Sequence, residues 1–164
     1  MGLVLTSSAF ADGGHIPVWY TCSETDASPP VGWADIPSGT ESLAIVCTSR
    51  SKRVDIFYHW LVYNIPPDVH GLDGKQPREK RLHKGICQGR NSDGDIGWRG
   101  PACEEERMLR FRLFALDTML SKNDCRKPQG CLKAMDGHLL DEAALAGYTG
   151  YQEHHGKDHR KMPE

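Results

Sequence analysis

Chemistry in this chain starts from one histidine. His59 lies inside Ile56-Phe57-Tyr58-His59-Trp60-Leu61-Val62-Tyr63-Asn64-Ile65, a run dominated by aromatic and branched apolar side chains. An imidazole placed there must find hydrogen-bond partners, and a satisfied core histidine is the ordinary outcome. Two other features give it a functional alternative. Gly97-Trp98-Arg99-Gly100-Pro101 carries enough glycine for backbone to approach another group closely, and Arg107 opens the next strand-like segment. If His59-Trp60, Gly97, Gly100, Pro101 and Arg107 converge at one sheet end, a guanidinium and backbone amides can hold an anion by charge-assisted hydrogen bonds in a water-poor cleft.

Other chemistries lack signatures. There is no Gly-x-Ser-x-Gly elbow, and a hydrolase built on Cys103 and His59 stands as an alternative without a recognisable spacing. The carboxylates are scattered, with no distinctive catalytic pair. Glycines between Gly85 and Gly100 do not follow the Walker or Rossmann spacing. Cys125 and Cys131 have no CxxC or HxxxH pair beside them, so neither a metal nor a cofactor is expected. Cys125-Arg-Lys-Pro-Gln-Gly-Cys131 reads instead as a short loop, turned by Pro128 and Gly130, that either holds two thiols or is closed by a disulfide. Cys47 and Cys87 sit among apolar neighbours and read as buried small hydrophobes.

These residues need elements to position them. The 164 residues fit one domain over 1–150, followed by a polar His-rich tail over 151–164, where His154, His155 and His159 lack a second ligand set. A net charge of -2 with 26% charged residues excludes a strongly basic nucleic-acid binder. The 17 Gly and 10 Pro favour turns over long helices, hence a β-rich fold. Strands are predicted over Glu41–Thr48, over Ile56–Ile65 with a stop at Pro66-Pro67, and over the alternating Met108–Asp117. An amphipathic helix is predicted over Lys133–Leu145. Asp68–Lys84, with Lys75, Arg78, Lys80, Arg81 and Lys84, reads as a solvated loop or, alternatively, a phosphate-binding patch.

The longest apolar runs, such as Leu43–Cys47, are of strand length, so no transmembrane segment is expected. Ala9-Phe10-Ala11 imitates a signal cleavage site, but Leu3-Val4-Leu5 is too short an apolar region for one. Six cysteines point to an exported protein, periplasmic or secreted, with a cytoplasmic home as the alternative.

Several short motifs, each weak alone, occur in a specific order: Ser8-Ala9-Phe10-Ala11-Asp12-Gly13-Gly14-His15-Ile16-Pro17, Tyr20-Thr21-Cys22, Ser28-Pro29-Pro30 before Trp33, Pro37-Ser38-Gly39-Thr40-Glu41-Ser42-Leu43-Ala44, His59-Trp60-Leu61-Val62-Tyr63-Asn64-Ile65-Pro66, Gln88-Gly89-Arg90-Asn91, Gly97–Cys103, Phe114-Ala115-Leu116-Asp117 and Gly137-His138-Leu139-Leu140. From Leu3 to Tyr148 the chain resembles the phosphatidylethanolamine-binding proteins, in particular their bacterial Raf-kinase-inhibitor-like branch. The resemblance implies an antiparallel Greek-key β-sandwich of two sheets with a C-terminal α-helix. It also implies a small pocket for phosphate or a phosphorylated headgroup, with His59 and the Gly97–Pro101 loop matching the family pattern.

Half of the implied pocket is altered. The family's Asp-Pro-Asp-x-Pro falls on Ser49-Arg50-Ser51-Lys52-Arg53, and its His-x-Tyr falls on Arg107-Met108-Leu109. Ser49 and Ser51 beside permanently charged arginines make the site more positive than the pattern it resembles. The resemblance further implies a Cys22–Cys103 disulfide near the pocket, alongside Cys125–Cys131. The resulting expectation is a non-enzymatic binding protein for a small anion. Its alternatives are a protein-interaction module that inhibits or modulates a partner kinase or protease, and a hydrolase.

Overall fold

A computed structural model describes residues 2–21, 25–50, 55–101 and 106–150. The elements run β1 (Val4–Thr6), β2 (Gly14–His15), β3 (Val31–Ala34), β4 (Ser42–Ser49), β5 (Phe57–Ile65), β6 (Gly71–Leu72), β7 (Cys87–Gln88), β8 (Arg107–Leu116), α1 (Pro128–Ala134) and β9 (Leu139–Thr149). They make a three-stranded sheet, β1-β3-β6, and a six-stranded sheet, β2-β9-β8-β4-β5-β7. Among the described residues the fold is mainly β, with two sheets and one α-helix.

The position of β4 explains its unbroken apolar sequence. It lies between β5 and β8, and both of its faces are covered. Leu43, Ile45 and Cys47 join a core shared with Leu5, Val31, Trp33 and Leu72 of the smaller sheet. Ala44 and Val46 face a second core, closed by Leu120, Cys125, Cys131 and Met135 from the region of α1. The six-stranded sheet thus has an apolar layer on each side, and each layer excludes water from the β4–β5–β8 ladder.

Two expectations about elements are corrected. The helix is Pro128–Ala134 rather than 133–145, and the last described element is a strand. Pro128 opens the helix with its φ already set, and Gly137, at φ 81°, turns the chain into β9. Leu139–Thr149 then pairs antiparallel along nearly all of β8 and parallel to β2, so the sheet is not purely antiparallel. The helical spacing of its leucines and alanines is overruled by this long-range ladder.

Cysteine pairing is corrected as well. Cys125 and Cys131 are free thiols, both buried in the second core, as are Cys47 and Cys87 in their layers. A hydrogen bond with Cys125, and then burial, hold the Cys131 thiol far above the usual range. The implied Cys22–Cys103 pair, Ser51 and the 151–164 tail lie outside the described residues. Leu3, Leu5 and Phe10 are buried core side chains, so the stretch around Ala9-Phe10-Ala11 is part of the packed fold. Among the described residues no helix is long and apolar enough to cross a membrane.

Replacing Leu113, which is 0% exposed, by Ala is expected to cost about 2–5 kcal/mol. The same truncation of Met108, which is 46% exposed near the start of the same strand, should stay within ~0.5 kcal/mol. Denaturant unfolding of the two variants checks the contrast.

Candidate functional site

A bulge aims the histidine. Cys47 pairs with Trp60 and Thr48 with Tyr58, leaving His59 as an extra residue in β5. Bulges bend a strand and redirect side chains, and this one turns the imidazole toward Trp98 of the Gly97–Pro101 loop, 6.0 Å between ring centroids. Phe57 covers it from the other side at 4.7 Å. The ring is wholly buried.

Both ring nitrogens are used. His59 Nδ1 lies 2.6 Å from the Arg99 carbonyl, which can only accept, so Nδ1 carries the proton. Nε2 is then an acceptor, and the Ser49 hydroxyl donates to it across 2.7 Å. Ser49 Oγ in turn accepts from Arg107 Nη1 at 3.1 Å. The result is a directed relay from Arg107 through Ser49 and His59 to the Arg99 carbonyl. Burial, opposed by the Arg99 carbonyl and reinforced by the Arg107 charge, lowers the His59 pKa to about 4. The imidazole is neutral at physiological pH.

The loop is anchored twice over. Arg99 N–H donates to the His59 carbonyl at 2.9 Å, reciprocating the side-chain bond. Asp26 holds the other side: its Oδ1 accepts from Gly100 N–H at 3.0 Å and from Trp98 Nε1 at 3.2 Å. Arg78 binds the Asp26 carbonyl oxygen and also donates to the Trp98 carbonyl at 3.1 Å. Burial raises the Asp26 pKa against the opposing pull of Gly100 N–H and the two arginines. The Arg99 guanidinium points away from the relay and is neutralised by Asp93 at 2.9 Å, with Asp95 and Asp26 nearby. The guanidinium that joins the relay is that of Arg107, which also lies over the Phe57 ring at 6.0 Å.

The sequence motifs and this fold point the same way. A family model described as phosphatidylethanolamine-binding protein matches residues 6–151. The chain belongs to the phosphatidylethanolamine-binding protein family. A UPF0098 protein of Methanothermobacter thermautotrophicus is 41% identical over 145 residues, spanning 87% of this chain and 95% of its own length. One from Chlamydia muridarum is 35% identical over 87% of this chain and 95% of its own. Among solved structures, a phosphatidylethanolamine-binding protein homolog from Chlamydia trachomatis superposes with a TM-score of 0.82 at 30% identity, covering 92% of this chain and 99% of its own. The E. coli YbcL structure, described as a member of the mammalian family, gives a TM-score of 0.80 at 22% identity over 93% of this chain and all of its own, a likeness of fold.

In this family member the geometry brings Ser49, His59, Arg107 and the Gly97–Pro101 loop together. Trp60 is placed differently: it is buried in the core, gives its Nε1–H to Gln88 at 2.8 Å, and packs edge-on against Trp98 at 5.7 Å. Trp60 supports the loop from behind rather than lining a cleft. The loop amides are also spoken for, with Gly97 N–H bonded to Gly89, Arg99 N–H to His59 and Gly100 N–H to Asp26. The amides of Gly97, Arg99 and Gly100 are thus already paired within the protein. Asp26 was invisible to sequence reasoning because its partners Trp98 and Gly100 lie more than seventy positions away.

Ser49 and His59 have the contact distance of a nucleophile and base, but not the chemistry. The ring is too weakly basic at a pKa of about 4, its Nδ1 faces a carbonyl instead of a carboxylate, and Arg107 disfavours an imidazolium.

Folding is linked to this neutral ring. An unfolded imidazole takes up a proton near its ordinary pKa of 6.5, the folded one only near 4, so the unfolded state binds more protons between those values. Stability is therefore retained above 6.5 and lost as pH falls toward 4, by up to about 3 kcal/mol from this residue. Denaturant unfolding across that window should show a shallower pH slope for His59→Gln; identical slopes would refute the assignment. Gly100 gives a second check, because a Cβ there would lie 2.6 Å from Thr21 Cα and 2.7 Å from the Tyr20 carbonyl oxygen. Gly100→Ala should cost on the order of 1–3 kcal/mol and displace the loop, read as a change in Trp98 fluorescence.

Proposed function

We propose that this chain is a non-enzymatic binding protein whose sheet-end site takes a small anion, phosphate or a phosphorylated headgroup. The observation that carries the reading is the relay Arg107–Ser49–His59, in which a permanent cation and a hydroxyl meet above a neutral, buried ring. Arg107 supplies charge and fork geometry suited to phosphate or carboxylate, and Ser49 supplies a donor that can turn from His59 to a ligand. Gly97, Gly100 and Pro101 shape the wall, held where Gly97 N–H meets Gly89, Arg99 meets His59 and Gly100 N–H meets Asp26, with Trp98 and Trp60 behind them. Ser51 belongs to the same proposed set on the strength of the family resemblance.

A family whose name records binding to a phospholipid supports a binding role over turnover. Hydroxyls at Ser49 and Ser51 in place of the pattern's carboxylates, and Arg107 in place of its histidine, make the site more positive and support an anion as its ligand. An exported home rests on the proposed Cys22–Cys103 bridge alone.

Calorimetric and thermal-shift titrations with phosphate, phosphoethanolamine and acetate test the proposal. Saturable stabilisation is expected with at least one of them, weakening as salt rises, because the cation is half exposed. Arg107→Ala should weaken it at least ten-fold. Failure of all three to bind, or binding indifferent to both salt and Arg107→Ala, would overturn it and move the role to a protein partner.

A further inference from the structure

The opposite face of the six-stranded sheet carries a second polar site. A cavity of about 440 Å³ opens there, lined by Tyr63, Lys80, Arg81, Cys87, Gln88, Gly89, Arg90, Ile96, Lys122, Asn123, Cys125 and Arg126, of which five are cations and none a carboxylate. The floor is buried: Tyr63 and Cys87 are both 4% exposed and Cys125 1%. The five basic side chains around it are exposed. Burial, first, and the neighbouring thiols hold the Tyr63 phenol well above its usual range, so the floor adds no negative charge.

Three chain segments distant in sequence are tied together to form this rim. Gln88 N–H donates to the Lys80 carbonyl at 2.8 Å, and Arg81 bridges to Cys87. Arg90 N–H donates to the Arg126 carbonyl at 3.3 Å, joining the strand end to the turn that carries Lys122. Gly89 permits the approach, since a Cβ would meet the Cys125 carbonyl oxygen at 2.6 Å and Leu61 Cδ2 at 2.5 Å. Among the described residues, none of the five cations takes part in an ion pair. Arg90 and Arg126 each use one N–H locally, on the Gly94 carbonyl and the Asn123 side chain.

Five like charges around one concavity repel one another, and in a chain of net charge -2 their grouping is not a consequence of composition. A counter-anion relieves that repulsion. One phosphate satisfies one or two guanidinium forks, so five cations in a cavity of ligand size match more than one phosphate group. We propose that this cavity binds a small molecule carrying two or more linked phosphate groups, such as a nucleoside diphosphate or an inorganic oligophosphate. The site shares no residue with the Arg107–Ser49–His59 relay and stands independently of it.

Titration calorimetry of the full chain with tripolyphosphate, pyrophosphate, ADP and adenosine tests the proposal, paired with amide NMR to locate the shifts. Saturable binding of the phosphate-bearing probes and none of adenosine is expected, with shifts centred on residues 80–81, 87–90 and 122–126. Arg81→Gln combined with Arg126→Gln, two exposed positions, should weaken it at least ten-fold without lowering the melting temperature. Arg107→Ala should leave it unchanged, which separates this site from the sheet-end one. ADP binding more tightly than pyrophosphate would identify a nucleoside as part of the ligand, and equal affinity a bare phosphate chain. No saturable binding, or affinity unaltered in the double variant, would overturn the proposal.

Discussion

A histidine with no exposed surface between packed aromatic rings is stable only if it stays neutral and both nitrogens are bonded. Much of the geometry around β5 follows from that constraint. The extra residue in the strand turns His59 toward the loop, and the Arg99 carbonyl must then sit within reach of Nδ1. Asp26 fixes the loop so that it does, through Gly100 N–H and the Trp98 indole. Trp98 is in turn clamped between Phe111, stacked at 5.9 Å, and Trp60, edge-on at 5.7 Å. Moving the Arg99 carbonyl away from Nδ1, or the Ser49 hydroxyl away from Nε2, leaves a buried imidazole nitrogen without a partner, a loss of about 1–3 kcal/mol.

How far such a site can be read from sequence depends on how local its causes are. Strands β4, β5 and β8 announce themselves because apolar continuity and alternation are properties of a few adjacent residues. His59 stands out for the same reason, as a lone imidazole in an apolar run. Its partners do not. Ser49 was reached only through the family pattern, and Asp26 had no signal at all, because a carboxylate that serves backbone N–H groups across the fold looks like any loop aspartate. The amides of the Gly-rich loop were read as ligand donors for want of knowing that Asp26, His59 and Gly89 already occupy them.

The segment 139–149 shows the same limit for secondary structure. Leu139, Leu140, Ala143, Ala144 and the absence of proline satisfy a helical pattern, and alanine favours helix intrinsically. Yet β8 offers a long free edge, and pairing along it from Arg107 to Leu116 outweighs local preference. The Arg112–Glu142 pair at 3.1 Å fits this strand register, in which the two lie on neighbouring strands, and no helix reading of 133–145 links them.

The relay also constrains what a ligand at the sheet end must look like. The Ser49 hydroxyl has one proton, and His59 Nε2 takes it. An anion that recruits that proton strands Nε2 in a buried place unless it returns a donor or the ring takes up a proton. A purely accepting anion therefore binds against the cost of charging a ring whose pKa is about 4, whereas a group bearing its own hydroxyl, such as a monoprotonated phosphate, accepts from Arg107 and donates back. Specificity in such a site lies in the proton the ligand carries as much as in its charge.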